Sequence, residues 1–392
     1  MSKKKIVIAA EGQEISYGYF DDGYPVELYF ENRERESLVG NIYAARVERV
    51  ADGIGGAFLE IGAGKKCYFP LVNGRRPATL SPSHDHGIRG GDILLVQIVK
   101  DAVKTKLPVA DTNLSLQGKY FVLTLEDKRF GVSKKISDKE ERRRLSDLIS
   151  SYKNGAYGII VRTNAAHTEE TVLLNELKEL MHQIDSVLHK ASYVQPGSLL
   201  YREPPHYLTL GKELPETELD EIVTDCPEIF EELKQRYGQK AALYTDEYSL
   251  RKLYRFPHFF EEALKSHVWL KSGGSLVIEQ TEAMVVIDVN TGSVIGKKKQ
   301  KERIFYELNR EAAAEIARQL RIRNLSGIIL VDFINMRDKE QQRELLSYFT
   351  EQCAKDRIPC RVVDMTALGL VEVTRSKVKR PLHEQMRRKE QI

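Results

Sequence analysis

The sequence predicts an α/β protein built from several subdomains, and three observations support this class. A chain of 392 residues is longer than one hydrophobic core usually supports, so roughly two to four subdomains are expected. Residues 37–117 contain short apolar runs punctuated by glycines, which is typical of a small β-barrel. Two further apolar runs end on Asp288 and Asp332 with a helical pattern between them, which predicts a parallel strand–helix–strand unit.

The composition indicates a globular protein that does not enter a membrane. Apolar residues make up 42% of the chain and charged residues 30%, and no apolar run reaches the roughly 18 residues that a transmembrane helix requires. The apolar stretch Ile6–Ala10 stops at Glu11, so no signal peptide is expected. The four cysteines are too few and too scattered for a disulfide framework, which predicts a cytoplasmic protein.

The first two segments of the chain predict β-structure. Residues 1–36 alternate polar and apolar side chains on either side of a turn near residues 21–25. In the barrel segment, residues 37–117, Phe58 and Tyr68 have basic residues nearby. Bases of single-stranded RNA stack on such rings. From the residues alone, an inward core position remains the alternative for Phe58.

Residues 118–205 predict a mixed segment. The expected strands are 120–125 and 156–162, and the expected helices are 139–151 and 169–192. Arg162 and Thr163 come at the end of the second strand, where a guanidinium and a hydroxyl together suit a terminal phosphate. An ordinary structural role for this pair stays open.

A subdomain boundary is expected near residue 205. Pro204 and Pro205 precede a segment, residues 213–232, that is rich in acidic side chains. Residues 206–271 are predicted to return to the first subdomain, and residues 272–392 to form a separate α/β layer.

The two strand-end aspartates predict a metal site. Asp288 and Asp332 are expected at the carboxyl ends of neighbouring parallel strands, where open α/β sheets bind ligands. Two close carboxylates repel each other, and a shared divalent cation removes that cost. Asn290 lies on the same side of the extended chain, and residues 297–301 follow as a cationic loop. The alternative is that each aspartate only caps a helix or forms a turn.

The net charge of +3 says little about partners, but the charge distribution favours a polyanion. Basic clusters lie at residues 142–144, 297–301, 318–323 and 377–388. Several runs of one sign near the predicted metal site indicate a track for nucleic acid, although a charge run is often only a solvated face.

Three segments carry a resemblance to a known family. They are residues 38–47, residues 158–163 and the long stretch 268–336, which includes Ser272-Gly273-Gly274, Ile287-Asp288-Val289-Asn290, Asn309-Arg310-Glu311 and Val331-Asp332-Phe333-Ile334-Asn335-Met336. Together they resemble the catalytic core of the RNase E/RNase G family of single-strand endoribonucleases. The resemblance extends over essentially the whole chain.

The resemblance implies an arrangement of subdomains. Residues 1–36 and 206–271 would form an RNase H-like subdomain. An OB-type RNA-binding barrel, residues 37–117, and a 5′-end-sensing subdomain, residues 118–205, would be inserted into it. Residues 272–392 would form a DNase I-like catalytic α/β subdomain.

The resemblance also implies roles for particular residues. Asp288 and Asp332 would hold Mg²⁺, and Asn290 would orient the attacking water or the phosphate. In the barrel, Phe58 and Tyr68 would contact RNA.

A pocket for an RNA 5′-monophosphate is implied as well. Its residues would be Arg162, Thr163, Gly118 and Val122. Lys106 aligns with the same region and is expected to bind RNA.

Three departures from the family pattern limit the analogy. Residues 376–392 contain no cysteine, so the zinc link between subunits of longer members is absent and no zinc is predicted. Asn335 replaces a second aspartate, which weakens a second metal site. Pro359 stands where some members place an arginine of the phosphate pocket, and proline has no N–H to donate; Arg357 or Arg361 is left as a substitute.

The sequence therefore predicts a Mg²⁺-dependent endoribonuclease that hydrolyses single-stranded RNA in RNA processing or decay, with possible stimulation by a 5′-monophosphate left open. It is expected to be a monomer or a homodimer without a membrane partner. The competing hypothesis is a non-catalytic RNA-binding regulatory protein with the same fold. Asp288, Asp332 and Asn290 disfavour it, because pure binding gains nothing from negative charge near phosphate.

Overall fold

The structure is a computed structural model that describes residues 3–35, 37–71, 79–80, 87–102, 106–153, 155–215, 218–292 and 301–387. The chain divides into two units. One unit comprises Met1–Arg35 and Thr217–Ile392, and the other comprises Glu36–Glu216.

Strands and helices are numbered here in chain order. The strands are β1 Lys4–Glu11, β2 Glu14–Asp21, β3 Tyr24–Asn32, β4 Ile42–Ala51, β5 Gly56–Glu60, β6 Lys66–Pro70, β7 Ile93–Lys100, β8 Val109–Asp111, β9 Ser115–Gln117, β10 Phe121–Thr124, β11 Phe130–Val132, β12 Gly158–Val161, β13 Leu199–Tyr201, β14 Glu221–Thr224, β15 Ala241–Leu243, β16 His267–Trp269, β17 Ser275–Gln280, β18 Met284–Asn290, β19 Gly327–Asp332, β20 Cys360–Met365 and β21 Leu370–Arg375. The α-helices are α1 Lys139–Ser150, α2 Glu170–Ala191, α3 His206–Thr209, α4 Pro227–Tyr237, α5 Leu250–Leu253, α6 Phe256–Leu264, α7 Lys301–Ile322, α8 Lys339–Ala354 and α9 Leu382–Gln385.

The Glu36–Glu216 unit contains the predicted barrel. Strands β4, β5, β6, β8 and β7 follow one another around it, and pairing of β4 with β7 closes the sheet. Its interior is filled by buried apolar side chains such as Val47, Leu59 and Val96. Strand β13 pairs with β4 on the outside of this ring. The closed barrel confirms the expectation for this part of the sequence.

A second sheet in the same unit has the strand order β11-β12-β10-β9. Helices α1 and α2 contribute Leu145, Leu177 and Ile184 to the core beneath it. Helix α1 begins at Asp138, whose carboxylate accepts hydrogen bonds from the N–H groups of Glu140 and Glu141. Such a cap satisfies donors that the first helical turn leaves free, and the two helices predicted in this segment are confirmed.

The other unit begins with a five-stranded sheet of order β15-β14-β1-β2-β3. Strands β14 and β15 run parallel to β1, whereas β2 is antiparallel to its neighbours. Residues after Thr217 thus complete the sheet that the N-terminal strands start. Phe20, Phe256 and Phe260 are fully buried between this sheet and helices α5 and α6.

The remaining sheet has the order β16-β17-β18-β19-β21-β20. Helices α7 and α8 pack on one face, where Ile287, Leu308 and Phe349 are buried in a common core. Each fully buried side chain of this kind contributes about 1.5–3 kcal/mol. Along β18 buried and exposed residues alternate, so the opposite face of the sheet carries the polar residues considered below.

The predicted strand–helix–strand unit is confirmed by β18, α7 and β19, whose strands are parallel neighbours. Strand β18 continues two residues past Asp288 to Asn290, because Val289 still packs into the helix-covered core. Among the described residues, no helix has the length and apolar character needed to cross a membrane.

Candidate active site

The two strand-end aspartates lie side by side. Asp288 and Asp332 are register partners in the parallel pairing of β18 with β19. Neighbouring strands are about 4.8 Å apart, and partners in register point to the same face. Both side chains are exposed, whereas Ile287 and Val331, which precede them, are buried under the helices. The sheet therefore presents two adjacent carboxylates to solvent on the face opposite α7 and α8.

Asn290 joins this pair on the same face. It lies two residues after Asp288 on β18 and is also exposed. Its side-chain amide Nδ2 donates a hydrogen bond of 2.8 Å to Oδ2 of Asp288. This bond links the amide of Asn290 directly to the Asp288 carboxylate.

The loop after Asp332 is held by a buried residue that the sequence analysis did not single out. Asn309 on α7 is fully buried. Its Nδ2 donates to the carbonyl oxygen of Ile334 at 2.8 Å, and its Oδ1 accepts from the N–H of Ile334 at 3.0 Å. Asn309 thus fixes the backbone two residues beyond Asp332. An amide next to Leu308 in an apolar helical stripe is a weak signal in the sequence, and it does not identify the backbone partner.

Glu311 of α7 holds the backbone between β16 and β17, as Asn309 holds the backbone after Asp332. Its carboxylate accepts hydrogen bonds from the backbone N–H groups of Lys271 and Ser272, at 2.6 and 3.2 Å. The glycines that follow bring the β16–β17 turn against β18. A Cβ on Gly274 would lie 2.8 Å from the carbonyl oxygen of Asn290, which is closer than real Cβ atoms approach. The Ser-Gly-Gly motif therefore permits close packing behind Asn290.

The donor set fits a hard divalent cation. Mg²⁺ is usually held by one or two carboxylates, with waters and substrate phosphate completing its octahedron. Asp288, Asp332 and the amide oxygen of Asn290 supply oxygen ligands of this type. Within the described residues there is no cluster of three or more His, Cys, Asp or Glu side chains arranged to hold a metal.

One histidine lies near the aspartates in the sheet. His267 is exposed on the outer face of β16 and lies in register, through Val277 on β17, with Asp288. No histidine is close to the aspartates in sequence, so only the sheet register reveals this proximity. The cationic loop of residues 297–301 falls largely outside the described residues, which resume at Lys301.

In the barrel, the two candidate RNA-binding rings are cross-strand partners. Phe58 on β5 lies opposite Tyr68 on β6, with ring centroids 6.0 Å apart. Both rings are partly exposed, while Leu59 is buried in the barrel. The inward core position considered for Phe58 is therefore wrong. The guanidinium of Arg49 lies 5.0 Å from the centre of the Phe58 ring.

Tyr68 is held at the hydroxyl end of its ring. Its hydroxyl donates to the carbonyl oxygen of Ile54 at 2.9 Å. The ring lies directly over Gly56, where a Cβ would come within 2.4 Å of its atoms. Lys106, also a candidate for RNA binding, is exposed in the segment that leads to β8.

Three of the predicted phosphate-pocket residues come together beside the β10–β12 pair. Arg162 follows β12 directly, and its Nη1 donates to the carbonyl oxygen of Gly118 at 2.5 Å. The hydroxyl of Thr163, which is exposed, lies 3.0 Å from the hydroxyl of Ser133. Val122 on β10 lies opposite Ile160 on β12. Ile160 is two residues before Arg162, so Val122 belongs to the same pair of strands as Arg162.

The loop that contains Gly118 is ordered by Glu176 of α2. This carboxylate accepts from the backbone N–H groups of Lys119, Tyr120 and Phe121 at 2.7–3.2 Å. A Cβ on Gly118 would lie 2.2 Å from Oε1 of Glu176. Ser133 and Glu176 were missed by the sequence analysis because their partners are distant in sequence.

The substitutes considered for Pro359 differ in their environment. The guanidinium of Arg357 is engaged by the carboxylate of Glu27, with Nε to Oε1 at 2.9 Å, whereas Arg361 is exposed on β20. The two nearby thiols, Cys353 and Cys360, are free of disulfides and influence each other's titration. The neighbouring Cys360 thiol, together with burial, raises the pKa of the Cys353 thiol.

Comparison with known proteins places the molecule in a family. A family model described as "Ribonuclease E/G family" matches residues 115–378. Ribonuclease G of Escherichia coli K12 is 32% identical over 96% of this chain and 80% of its own length. Ribonuclease G of Haemophilus influenzae is 31% identical over 97% of this chain and 81% of its own length. Ribonuclease E of Synechocystis is 31% identical over 97% of this chain and 58% of its own length. The chain therefore belongs to the ribonuclease E/G family.

Proposed function

We propose that this protein is a Mg²⁺-dependent endoribonuclease that hydrolyses single-stranded RNA in the cytoplasm, in RNA processing or decay. Family membership supports the endoribonuclease activity. The observation that carries the metal-dependent mechanism is the register pairing of Asp288 with Asp332, with Asn290 bonded to the first carboxylate.

The geometry suggests how the residues divide the reaction. Asp288 and Asp332 would hold the cation between them, and the bound ion would polarise a phosphoryl oxygen and lower the pKa of a coordinated water. Asn290 is in reach of the same space and would orient the water or a phosphate oxygen. The water oxygen would bond to phosphorus while the bond to the 3′ oxygen breaks. The attacking water would lose one proton and the leaving 3′ oxygen would gain one, so that one water is consumed for each bond cleaved. The products would carry 5′-phosphate and 3′-hydroxyl ends.

RNA capture would use the barrel. The partly exposed rings of Phe58 and Tyr68 offer stacking surfaces, and the cation of Arg49 beside them favours a phosphate backbone. Lys106 would add a phosphate contact from its exposed position.

Stimulation by a 5′-monophosphate is proposed for the cluster at the end of β12. Arg162 and Thr163 lie beside Gly118 and Val122, and a guanidinium with a hydroxyl can bind the terminal phosphate through charge-assisted hydrogen bonds.

The test is cleavage of a fluorescent single-stranded oligonucleotide in Mg²⁺ and in EDTA. Asp288→Asn and Asp332→Asn should each abolish internal cleavage while RNA binding persists. Asp364→Asn is the matched control, since Asp364 is an exposed aspartate on edge strand β20 of the same sheet, and it should cleave normally. Full activity in EDTA, or near-normal turnover of either active-site variant, would refute the mechanism. Binding without cleavage in the unaltered protein would favour the non-catalytic RNA-binding function.

A further inference from the structure

One large aromatic side chain near the aspartates has no role in the site described so far. Trp269, the last residue of β16, is 73% exposed. It is the chain's single tryptophan. An exposed indole leaves a large apolar surface in water, and aromatic rings are enriched where proteins bind partners.

The sheet register places this ring beside the aspartates. Val268, the preceding residue, packs against the helix-covered core, so Trp269 projects from the opposite face, which also carries Asn290. Trp269 pairs with Ser275 on β17, and Ser275 pairs with Asn290 on β18. Two strand spacings, about 10 Å in total, therefore separate Trp269 from Asn290 across the sheet.

The side chain between these two positions is small. Ser275 carries a short side chain, so it adds little bulk between the indole and the amide of Asn290. A chain bound at the aspartates can therefore extend toward β16 without meeting a bulky side chain in this row.

We propose that Trp269 is a stacking platform for a base of the bound RNA, close to the scissile phosphate. Bases of single-stranded RNA are splayed out and stack on aromatic side chains, and such stacking tolerates any base because each has a π-face. Trp269 would fix where the chain lies relative to the two carboxylates without selecting a particular base. This subsite rests on the proposed function, because it takes Asp288 and Asp332 as the position of the scissile phosphate.

Binding can be tested without catalysis, because the single tryptophan is its own probe. The Asp332→Asn variant is titrated with a single-stranded oligonucleotide while tryptophan emission and the anisotropy of a label on the RNA are recorded. Stacking predicts that tryptophan emission is quenched with the same midpoint as the anisotropy change. Unchanged emission at saturating RNA would overturn the proposal.

Substitutions then measure what the ring contributes. Trp269→Ala in the same background should raise the dissociation constant about 5- to 150-fold, as expected from alanine substitution of a stacked ring, and Trp269→Phe should restore most of the loss. Tyr248→Ala is the control, since Tyr248 is another exposed aromatic of this unit, at 60% exposure, and should bind normally. A change below twofold for Trp269→Ala, or an equal loss for Tyr248→Ala, would contradict stacking.

An oligonucleotide series with one abasic nucleotide at successive positions locates the stacked base. One position near the cleavage site should lose the quenching, and there Trp269→Ala should cost no further affinity. If tryptophan emission is quenched as the protein concentration rises in the absence of RNA, a second copy of the chain covers the ring. That result would refute the subsite. If the unaltered protein binds and quenches but does not cleave, the proposed activity fails while the stacking site stands.

Discussion

Substitution of Asn309 by alanine tests whether the backbone beyond Asp332 is held in place by helix α7. The side chain is fully buried and makes two hydrogen bonds to the backbone of Ile334, at 2.8 and 3.0 Å. Alanine leaves one N–H and one C=O without these partners. Each lost bond costs about 1–3 kcal/mol when the partner stays away from water. Because Ile334 is only partly buried, we expect a total destabilisation of about 2–4 kcal/mol.

The same substitution should impair catalysis more than RNA binding. Ile334 is two residues from Asp332, so a loosened backbone displaces that carboxylate, and a misplacement of about 1 Å can reduce the rate about 100-fold. We expect the rate constant of single-turnover cleavage to fall by about 10- to 100-fold. In steady-state kinetics kcat should fall with it, and KM should change little. Unfolding in urea, followed by far-UV circular dichroism, gives the change in stability.

Gln319→Ala provides the matched control for Asn309→Ala. Gln319 is a buried amide on the same helix. Its partners are Glu315, which is also on α7, and Arg323, which directly follows α7. This variant should lose stability and keep its kcat. Equal losses of kcat in both variants, or an unaltered kcat in Asn309→Ala, would show that the bonds to Ile334 do not position the site.

Three further predictions concern other parts of the molecule. Phe58→Ala and Tyr68→Ala should each weaken RNA binding by about 1–3 kcal/mol, measured by anisotropy; misfolding in place of weaker binding would contradict the stacking role. The Arg144 guanidinium lowers the pKa of Glu141 from its ordinary 4.5 to about 2. Glu141 therefore stabilises the fold above about pH 4.5 by at most about 3 kcal/mol, and this is lost as the pH falls toward 2. Glu141→Gln should flatten that part of the stability profile, and an unaltered profile would refute the assignment. Elemental analysis should find no stoichiometric zinc, since no two of the cysteines at positions 67, 226, 353 and 360 have Cys-x-x-Cys spacing, and chelation should leave the oligomeric state unchanged; zinc lost together with a subunit contact would reverse this view.

The pairing of Asp288 with Asp332 could be predicted from the sequence for a physical reason. Two apolar runs joined by one helical pattern fold as parallel neighbours, and the carboxyl ends of such strands lie at one edge of a sheet. The barrel could be recognised in the same way, since glycine-punctuated short strands have few other ways to close. The local sequence pattern was therefore enough to predict the structure where elements that follow each other in sequence also lie next to each other in space.

The supporting residues could not be predicted from local pattern. Glu311 looks like an ordinary solvated position on a helix, and only the folded chain brings Lys271 and Ser272 against it. Phe58 stands between the apolar residues Ala57 and Leu59, so alternation alone did not decide which side of the strand faces the barrel interior. Trp269 ends a three-residue strand, too short to show which face is exposed.

The most direct test of the account is a titration with Mn²⁺, which takes the same oxygen ligands as Mg²⁺ and is detected by electron paramagnetic resonance. The account predicts that the unaltered protein has a Mn²⁺ site that is lost in both Asp288→Asn and Asp332→Asn and retained in the control Asp364→Asn. Equal Mn²⁺ binding by the unaltered protein and the two active-site variants would contradict the claim that these two carboxylates share a cation.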